Sequence, residues 1–384
     1  MVRLLYPSLL TAAILATSSA CAAQGYTVEE APEWTAFFDT TSGWTGADGI
    51  FALPLDGNET PGGLARTDTL FVFSDTFIGD VNAAGERVNS SLVNNTLGFL
   101  RAGAFDQGAK FFWDARGTQP AAIIAPDTPM SEDGDWYWFA DGIVIGDDAH
   151  VLAQRMHSAP GAPGFGFARG GMALVTIPLT GTPDLDTITQ VDAPTFYPEF
   201  GGHGGAFFGA GIMPNTVESG APNPDGYIYI YGSREDPLVK KLLVARVLPA
   251  SFTDFDAWRY WNGHSWVQDP RQAIPVTGRI SNELSVTPTP NGQYALIFSL
   301  DTLSGKVAMK RSDTPVGPWG PSEILWDIQT PPGLALFTYN AKAHPHLSEP
   351  GELLISWNVN ASDFWDHFRY ADIYRPRFIK LTWQ

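Results

Sequence analysis

The chain has 384 residues, of which 44% are hydrophobic and 17% charged, and its formal net charge is -18. An acidic balance of this size argues against a nucleic-acid partner, for which a basic face is expected. The 39 Gly and 30 Pro favour many short elements joined by tight turns.

The first twenty residues differ from the rest of the chain. Arg3 precedes an apolar stretch, LLYPSLLTAAILA, and small residues follow up to Cys21, the sole cysteine. This order is typical of an export signal, so residues 1–20 are predicted to be a signal peptide. Cys21 resembles the lipidated cysteine of bacterial lipoproteins, although Ser18 stands where that motif usually has Leu. Ordinary cleavage after an Ala-x-Ala-like site is the alternative. Both interpretations imply an exported protein that is periplasmic, extracellular or anchored in the outer membrane through Cys21.

Beyond residue 25, short apolar runs recur between Gly, Pro, Asn and Asp. They are rich in Phe, Tyr, Val, Ile and Leu, and helical periodicity is hard to find, so strands are predicted. Examples in chain order are TLFVFSDTF (69–77), YIYIYGS (227–233), KKLLVARV (240–247), YALIFSL (294–300) and ELLISWNV (352–359).

These runs form about five similar units, each opening with small residues and usually a polar group. The openers are GADGIFAL, FADGIVIG, FGAGIMPN, SNELSVTP and NAKAHPHL, near residues 46, 139, 209, 281 and 340. Five radial sheets of antiparallel strands form a five-bladed β-propeller. Residues 26–384 are therefore predicted to be one all-β domain with this fold. The C-terminal RPRFIKLTW strand is expected to pair with or beside the N-terminal segment, because closing the ring removes an exposed edge.

In a propeller, the openers line the central channel, and they contain most of the candidate catalytic residues. Asp48, Asp141, Glu283 and His344 would face one another across the axis, and Asp75 lies in the strand LFVFSDTF. Carboxyl groups in a confined site cannot all ionise normally, so one becomes an acid beside a base. Glycoside hydrolysis uses such a pair. The alternative is that these acids cap strand ends or pair with Arg in a solvated channel.

Several motifs together resemble a known family: GWTGADGIF, LFVFSDTFIG, SLVNNT, NELSVTP and YNAKAHPHLSEPGELLISWNVN. The family is a group of secreted bacterial proteins long labelled as domains of unknown function, some of which are assigned as endo-D-arabinanases acting on mycobacterial-type arabinan. The resemblance spans nearly the whole mature chain and implies that Asp48 and Asp75 are the paired catalytic aspartates.

A broader similarity is to the five-bladed arabinanases and β-xylosidases. In those enzymes, acids on successive inner strands serve as base, pKa modulator and general acid, and a channel histidine can sit near a bound ion. This similarity would instead give the roles to Asp48, Asp141, Glu283 and His344.

Other residues are candidates for holding a sugar. Trp44 could stack on a sugar face, since aromatic rings offer apolar area and a polar handle. Asn95, Arg155 and Arg234 lie on strands from which they could bind hydroxyls, and His203 lies in GGHGG, a predicted loop at the funnel mouth. His344, in the fifth opener, is also a candidate for binding the substrate. Packing and salt-bridge roles are the alternatives for these residues.

No cofactor is predicted, because the sequence has no His-Glu-x-x-His zinc motif, no phosphate-binding loop and no Gly-x-Ser-x-Gly nucleophile elbow. A calcium or sodium ion on the axis would suit the clustered acids, but no ligand spacing specifies one.

Two functions follow from these patterns. The first is a secreted or surface-anchored, retaining glycoside hydrolase that cleaves a furanoside-containing, arabinan-like polysaccharide. The second is a non-catalytic carbohydrate-binding propeller, in effect a surface lectin. The sequence leaves open the sugar, the linkage, endo or exo action, the role of each acid and the oligomeric state.

Overall fold

A computed structural model describes residues 25–160, 166–179, 181–237 and 239–384. The predicted signal peptide and Cys21 lie outside the described residues, so both stay predictions. Among the described residues, none of the helices has the length and apolarity needed to cross a bilayer.

The described residues are mostly strands. Strands β1 to β13 are, in chain order, Tyr26–Glu30, Ser42–Ala47, Phe51–Pro54, Thr69–Phe73, Thr76–Val81, Arg87–Val93, Thr96–Leu100, Lys110–Phe112, Trp136–Ile145, Asp148–Ser158, Phe167–Pro178, Thr189–Ala193 and Phe196–Tyr197. Strands β14 to β26 are Ala206–Asn215, Tyr227–Asp236, Val239–Val247, Arg259–Trp261, Trp266–Val267, Thr277–Gly278, Leu284–Pro288, Tyr294–Ser299, Lys306–Ser312, Glu323–Asp327, Leu336–Ala343, Glu352–Ala361 and Arg377–Trp383.

The helices are short. Helices α1 to α3 are Pro32–Phe37, Gly63–Arg66 and Asp366–Arg369. Single 3-10 turns are Phe105–Gln107, Pro249–Ser251, Phe255–Ala257, Pro270–Gln272 and Pro345–Leu347. Helix α1 begins at a proline, whose fixed φ suits the first helical position, and it buries Trp34. The all-β class predicted from the sequence is therefore confirmed.

Five sheets follow one another along the chain, and a smaller one accompanies them. Sheet one has the order β3-β4-β7-β8, sheet two β9 to β12, sheet three β13 to β18 with β19 beside β16, sheet four β20 to β23, and sheet five β24-β25-β26-β1. The accessory sheet has the order β2-β5-β6.

The inner strands of the five sheets surround one axis. Strand β9 packs against β3 and β14, and β20 packs against β14 and β24. Sheet five approaches sheet one through the Lys342 ammonium, which lies 4.1 Å from the Phe51 ring centroid. It also contacts the accessory sheet, because the Asn358 amide donates to the Ala47 carbonyl of β2 at 3.2 Å. This arrangement is the one that a five-bladed propeller requires; the blade number itself stays a prediction.

Glycine permits the close approach of strands near this axis. A Cβ atom at Gly211 would lie 2.8 Å from the carbonyl oxygen of Leu284 in the next sheet. At Gly209, where φ is +123°, a Cβ atom would lie 2.7 Å from the Leu152 side chain. The small residues of the third opener are therefore needed where β14 passes its neighbours.

The first and last described strands pair in sheet five. Strand β1 pairs antiparallel with β26, and Tyr26 lies opposite Trp383. The predicted pairing of RPRFIKLTW with the N-terminal segment is confirmed. Apolar cores fill the spaces between neighbouring sheets, with Leu284 and Tyr231 between sheets three and four, and Phe51 and Val151 between sheets one and two.

Candidate active site

Asp48 and Asp75 occupy one end of sheet one, where β3 begins and β4 has just ended. The backbone N–H of Asp48 donates to the Asp75 carbonyl at 3.1 Å, and the N–H of Ser74 donates to the Asp48 carbonyl at 2.9 Å. Gly49, which follows Asp48, has φ +61°, and a Cβ atom there would lie 2.6 Å from the Ser74 hydroxyl. The Asp-Gly pair of the first opener thus places two carboxylates beside each other.

One oxygen of Asp48 is held by two phenols. Tyr339 donates its hydroxyl to Asp48 Oδ2 at 2.6 Å, and Tyr374 donates to the same oxygen at 2.9 Å. The other oxygen, Oδ1, is buried and has no hydrogen-bond partner among the described residues. Burial raises the pKa of Asp48, and the two phenols oppose that rise.

Both phenols are positioned by backbone in the left-handed region. Tyr374 has φ +72°, and Asn340, which follows Tyr339, has φ +59°. Such a conformation costs a non-glycine residue about 1 kcal/mol or more, and it is typical of functional sites. The Asn360 amide donates to the Tyr339 hydroxyl at 3.1 Å, which leaves the phenol proton for Asp48.

One carboxyl oxygen of Asp75 is likewise held by two side-chain donors. The Trp138 indole donates to Asp75 Oδ1 at 2.7 Å, and the Asn94 amide donates to the same oxygen at 3.1 Å. The described residues give Asp75 Oδ2 no hydrogen-bond donor. Burial, and secondarily the charge of Asp48, raise the pKa of Asp75 to about 7. The pair is therefore suited to share one proton near neutral pH.

Asp141 uses both oxygens to join two inner strands. It accepts from the backbone N–H of Ile212 at 2.6 Å and from its neighbour Gly142 at 2.8 Å. Burial raises the pKa of Asp141 to about 8, although these two N–H groups oppose the rise. Its carboxyl thus ties β9 to β14.

Glu283 is also fully engaged. Its Oε2 forms a buried ion pair with the Lys342 ammonium, and its Oε1 accepts from the Asn340 amide at 2.8 Å. Burial raises the pKa of Glu283 to about 7, against the effect of the Lys342 charge. The four predicted catalytic acids therefore differ: Asp48 and Asp75 each have an oxygen without a donor, whereas Asp141 and Glu283 do not.

Two of the predicted sugar-binding residues lie in the interior. Trp44 is 1% exposed and stacks on Phe111 with ring centroids 4.6 Å apart, so its indole has no open face for a sugar. Asn95 is fully buried, and its amide bonds the backbone of Ile124 and Tyr137. The structure gives both residues a packing role instead.

The two arginines are paired with neighbouring acids. Arg155 is buried and lies 3.5 Å from Asp135, and Arg234 forms a two-bond contact with Asp236 at 2.6 and 2.8 Å. These are the salt-bridge roles that the sequence left as alternatives.

The two histidines differ in exposure. His203 is exposed and lies 3.9 Å from Asp236. His344 is buried and hydrogen-bonds the Ser356 hydroxyl at 2.7 Å. Burial lowers the pKa of His344 well below its usual value, which keeps this imidazole neutral.

Sequence reasoning missed the donors around the pair. Tyr339 stands directly before the fifth opener, Trp138 stands three residues before Asp141, and Asn94 lies in SLVNNT. Tyr339 and Asn94 lie inside quoted motifs and Trp138 directly precedes the second opener, so their positions could have drawn attention to them. Tyr374 lies in a connection between strands, and no local pattern marks it.

A small cavity of about 40 Å³ lies along the axis beside Asp141, and Glu59, Lys342 and His344 also line it. Within the described ranges, no group of three or more His, Cys, Asp or Glu is arranged to hold a metal ion. Asp141 accepts from backbone N–H groups and Glu283 pairs with Lys342, so the carboxyls of these two residues are already engaged. The calcium or sodium ion on the axis stays a prediction.

Comparison with known proteins places the chain in a family. Residues 32–383 match the model of the family described as "Domain of unknown function (DUF5005)". No curated protein matches this chain. The expected resemblance to proteins labelled as domains of unknown function is confirmed at that level, and the finer assignment to endo-D-arabinanases is not.

Of three solved structures that are similar to this chain, the first shares its fold. A protein from Bacteroides ovatus, named provisionally as a hydrolase, is 24% identical over 93% of this chain and 90% of its own, with a TM-score of 0.70. An α-L-arabinofuranosidase from Podospora anserina is 11% identical over 89% of this chain and 92% of its own, with a TM-score of 0.47. An exo-β-1,3-galactanase from Phanerochaete chrysosporium is 12% identical over 89% of this chain and 63% of its own, with a TM-score of 0.47.

Proposed function

We propose that this chain, which belongs to the family described as "Domain of unknown function (DUF5005)", is a glycoside hydrolase with Asp48 and Asp75 as its catalytic pair. One observation supports this most strongly. Each carboxyl has one oxygen fixed by two side-chain donors, and its other oxygen has no donor among the described residues. A carboxyl with one oxygen fixed and the other free of a donor is what a nucleophile and a proton donor need.

Asp48 is the better nucleophile of the two. Two phenol hydroxyls on Oδ2 stabilise the ionised carboxylate and hold Oδ1 free to attack. Asp75 is the better proton donor, because burial raises its pKa to about 7, close to a neutral working pH.

The proposed reaction has two steps. In the first, Asp48 Oδ1 forms a bond to the anomeric carbon while the glycosidic bond breaks, and the proton of Asp75 passes to the leaving oxygen. In the second, Asp75 takes a proton from water, the water oxygen attacks the anomeric carbon, and the ester bond to Asp48 breaks. The product keeps the anomeric configuration of the substrate.

The names of two similar solved structures suggest the substrate class. One structure is named as an arabinofuranosidase and another as a galactanase. Together with the motif resemblance, this makes a furanoside-containing polysaccharide the first substrate to test. Export to the periplasm or cell surface, with or without lipidation of Cys21, is part of the same proposal, because polymers of this kind lie outside the cytoplasm.

The alternative, a lectin, predicts acids locked by cations. Glu283 fits that description, since Lys342 pairs with it. Asp48 and Asp75 do not, because their described partners are neutral phenol, indole and amide groups. This difference favours the hydrolase.

The test is a screen of the purified protein against linear arabinan, arabinogalactan, arabinoxylan and β-1,3-galactan, with product analysis by NMR. We expect one polymer to be cleaved with retention at the anomeric carbon, and we expect Asp48→Asn to release no product. Inversion would reject the nucleophile role of Asp48. Binding of a polymer without cleavage would favour the lectin.

A further inference from the structure

An exposed aromatic patch lies on the connection between β25 and β26. It consists of Phe364, Trp365 and Tyr370, whose residues are 47%, 62% and 45% exposed. Leu92 and Val88 of β6 are also exposed, and α3 packs against that strand. Large apolar side chains are thus concentrated here, and contiguous exposed apolar area marks an interaction site.

The patch lies at the same end of sheet five as the catalytic pair. Leu336, which begins β24, pairs with Ala361, which ends β25. Tyr339 follows three residues after Leu336 and donates to Asp48. The connection that contains the patch therefore leaves sheet five at the end where the phenols meet Asp48.

Ring contacts lead from the patch to the catalytic residue. The Tyr374 ring, whose hydroxyl donates to Asp48, packs edge-on against Phe77 at 5.4 Å between centroids. Phe77 contacts Phe364 at 6.4 Å, and Phe364 contacts Trp365 at 6.0 Å. Only a few rings separate the patch from Asp48.

The base of the patch is held firmly although its rings are exposed. The guanidinium of Arg87, itself 3% exposed, donates to the carbonyls of His367, Ala371 and Ile373. It also bonds the Thr45 carbonyl of the accessory sheet at 2.8 Å. Exposed rings on a fixed backbone lose little conformational entropy on binding, which favours a binding role.

The charge near the patch favours a neutral ligand. Arg369 pairs with Asp363 at 3.3 Å and with Asp366 at 2.9 Å, so the patch offers no unpaired cation to an anionic ligand. The formal net charge of -18 also repels acidic polymers and acidic membrane surfaces. Indole and phenol rings suit neutral sugars, because they combine an apolar face with a polar group.

We propose that the aromatic patch binds a neutral polysaccharide chain at sugar units beyond those held by Asp48 and Asp75, which makes the protein an enzyme of polymers rather than of short glycosides. The proposal rests on the hydrolase proposed above. Its test is therefore a binding measurement whose result does not depend on cleavage.

The experiment uses affinity electrophoresis in native gels that contain linear arabinan, arabinoxylan, β-1,3-galactan or, as an acidic polymer, polygalacturonate. All variants contain Asp48→Asn, so the polymer stays intact. We expect one neutral polymer to retard the protein, polygalacturonate to have no effect, and Phe364→Ala with Trp365→Ala to weaken binding about tenfold. A variant with Trp365→Phe in place of Trp365→Ala should regain part of the retardation that the double alanine variant loses. Ile324→Ala, at an exposed apolar position in sheet four, is the matched control and should bind normally.

Each result has a definite meaning. Equal retardation with and without the two rings would overturn the patch proposal and leave the hydrolase untouched. Retardation that needs the rings, in a protein whose wild type cleaves none of these polymers, would support the patch and reject the hydrolase. No retardation by any neutral polymer, or a wild-type dimer that the two alanines dissociate, would overturn the patch proposal.

Discussion

Asp48 and Asp75 differ from Asp141 and Glu283 in what surrounds them, although all four acids lie close to the axis. Burial raises the pKa of all four, to about 7 for Asp75 and Glu283 and to about 8 for Asp141. A raised pKa therefore does not distinguish the two pairs. The hydrogen bonds do, since the first pair has oxygens without donors and the second pair bonds backbone N–H groups, Asn340 and Lys342.

The comparison shows why a buried acid is weak evidence for catalysis. Asp141 and Glu283 join inner strands to one another, and their carboxyl groups stabilise the axis. Asp48 and Asp75 receive side-chain donors that leave one oxygen of each open. We therefore expect Asp48 and Asp75 to be the reactive pair and Asp141 and Glu283 to be the structural pair.

The largest expected effect is on turnover. Asp75→Asn should lower kcat on the identified substrate by about 10³-fold or more, because the amide cannot donate a proton to the leaving oxygen. Glu283→Gln should retain activity within about tenfold at a temperature where it is folded, since the Glu283 carboxylate is bonded to Asn340 and Lys342. Steady-state kinetics on both variants checks this. An inactive, folded Glu283→Gln beside an active Asp75→Asn would reverse the assignment.

The next effect is on stability. Lys342→Met removes the cation from a buried ion pair and should cost about 3 kcal/mol in the free energy of unfolding. Without the ammonium, the pKa of Glu283 in the folded protein rises further above its unfolded value. An acid with a raised folded pKa destabilises the protein as pH increases from the unfolded pKa through the folded one. The loss in the free energy of unfolding should thus be small near pH 5 and reach about 3 kcal/mol near pH 8.

Chemical denaturation at the two pH values measures this. Adding Glu283→Gln to Lys342→Met should recover much of the stability at pH 8, because no unpaired charge then remains in the interior. A cost that is the same at pH 5 and pH 8 would mean that Lys342 acts through packing on Phe51 rather than through its charge.

Much of the fold could be predicted from the sequence, because strand patterns and turn residues are local. The runs YIYIYGS and YALIFSL became β15 and β21, and the last strand paired with the first. The predicted strand TLFVFSDTF is instead divided between β4 and β5, which belong to different sheets, and Asp75 lies between the two strands. The accessory sheet was not predicted. Its strand β6, with the sequence RVNSSLV, has few apolar residues and no clear alternation.

The candidate site was predicted less completely. Asp48 and Asp75 lie in recognisable motifs, whereas their ranking above Asp141 and Glu283 depends on partners distant in sequence. Tyr374 is 326 residues from Asp48, and no local pattern can report that contact. Trp44 shows the converse: a tryptophan near Asp48 suggested stacking on a sugar, but its ring packs in the core against Phe73 and Phe111.

A smaller effect is expected from the phenols. Tyr374→Phe and Tyr339→Phe each remove one hydrogen bond to Asp48 and should lower kcat/KM by about tenfold, the amount expected for a bond to a charged group. Tyr229→Phe is the matched control, because its hydroxyl also bonds an aspartate, Asp225, at 2.8 Å, but in sheet three. Equal losses in all three variants would indicate general destabilisation instead of a role at Asp48.

The smallest effect is a shift in titration, and it tests the coupling within the reactive pair. The charge of Asp48 helps to raise the pKa of Asp75, so the activity that needs a protonated Asp75 should fall as pH rises through about 7. In Asp48→Asn that charge is absent, and the pKa of Asp75 should be lower than in the wild type, while burial still holds it above 3.8.

Carbon-13 NMR of the Asp75 carboxyl measures both pKa values without a substrate. Tyr229→Phe should leave the titration where it is. An unchanged pKa in Asp48→Asn would show that the two carboxyls titrate independently and would exclude a proton shared between them.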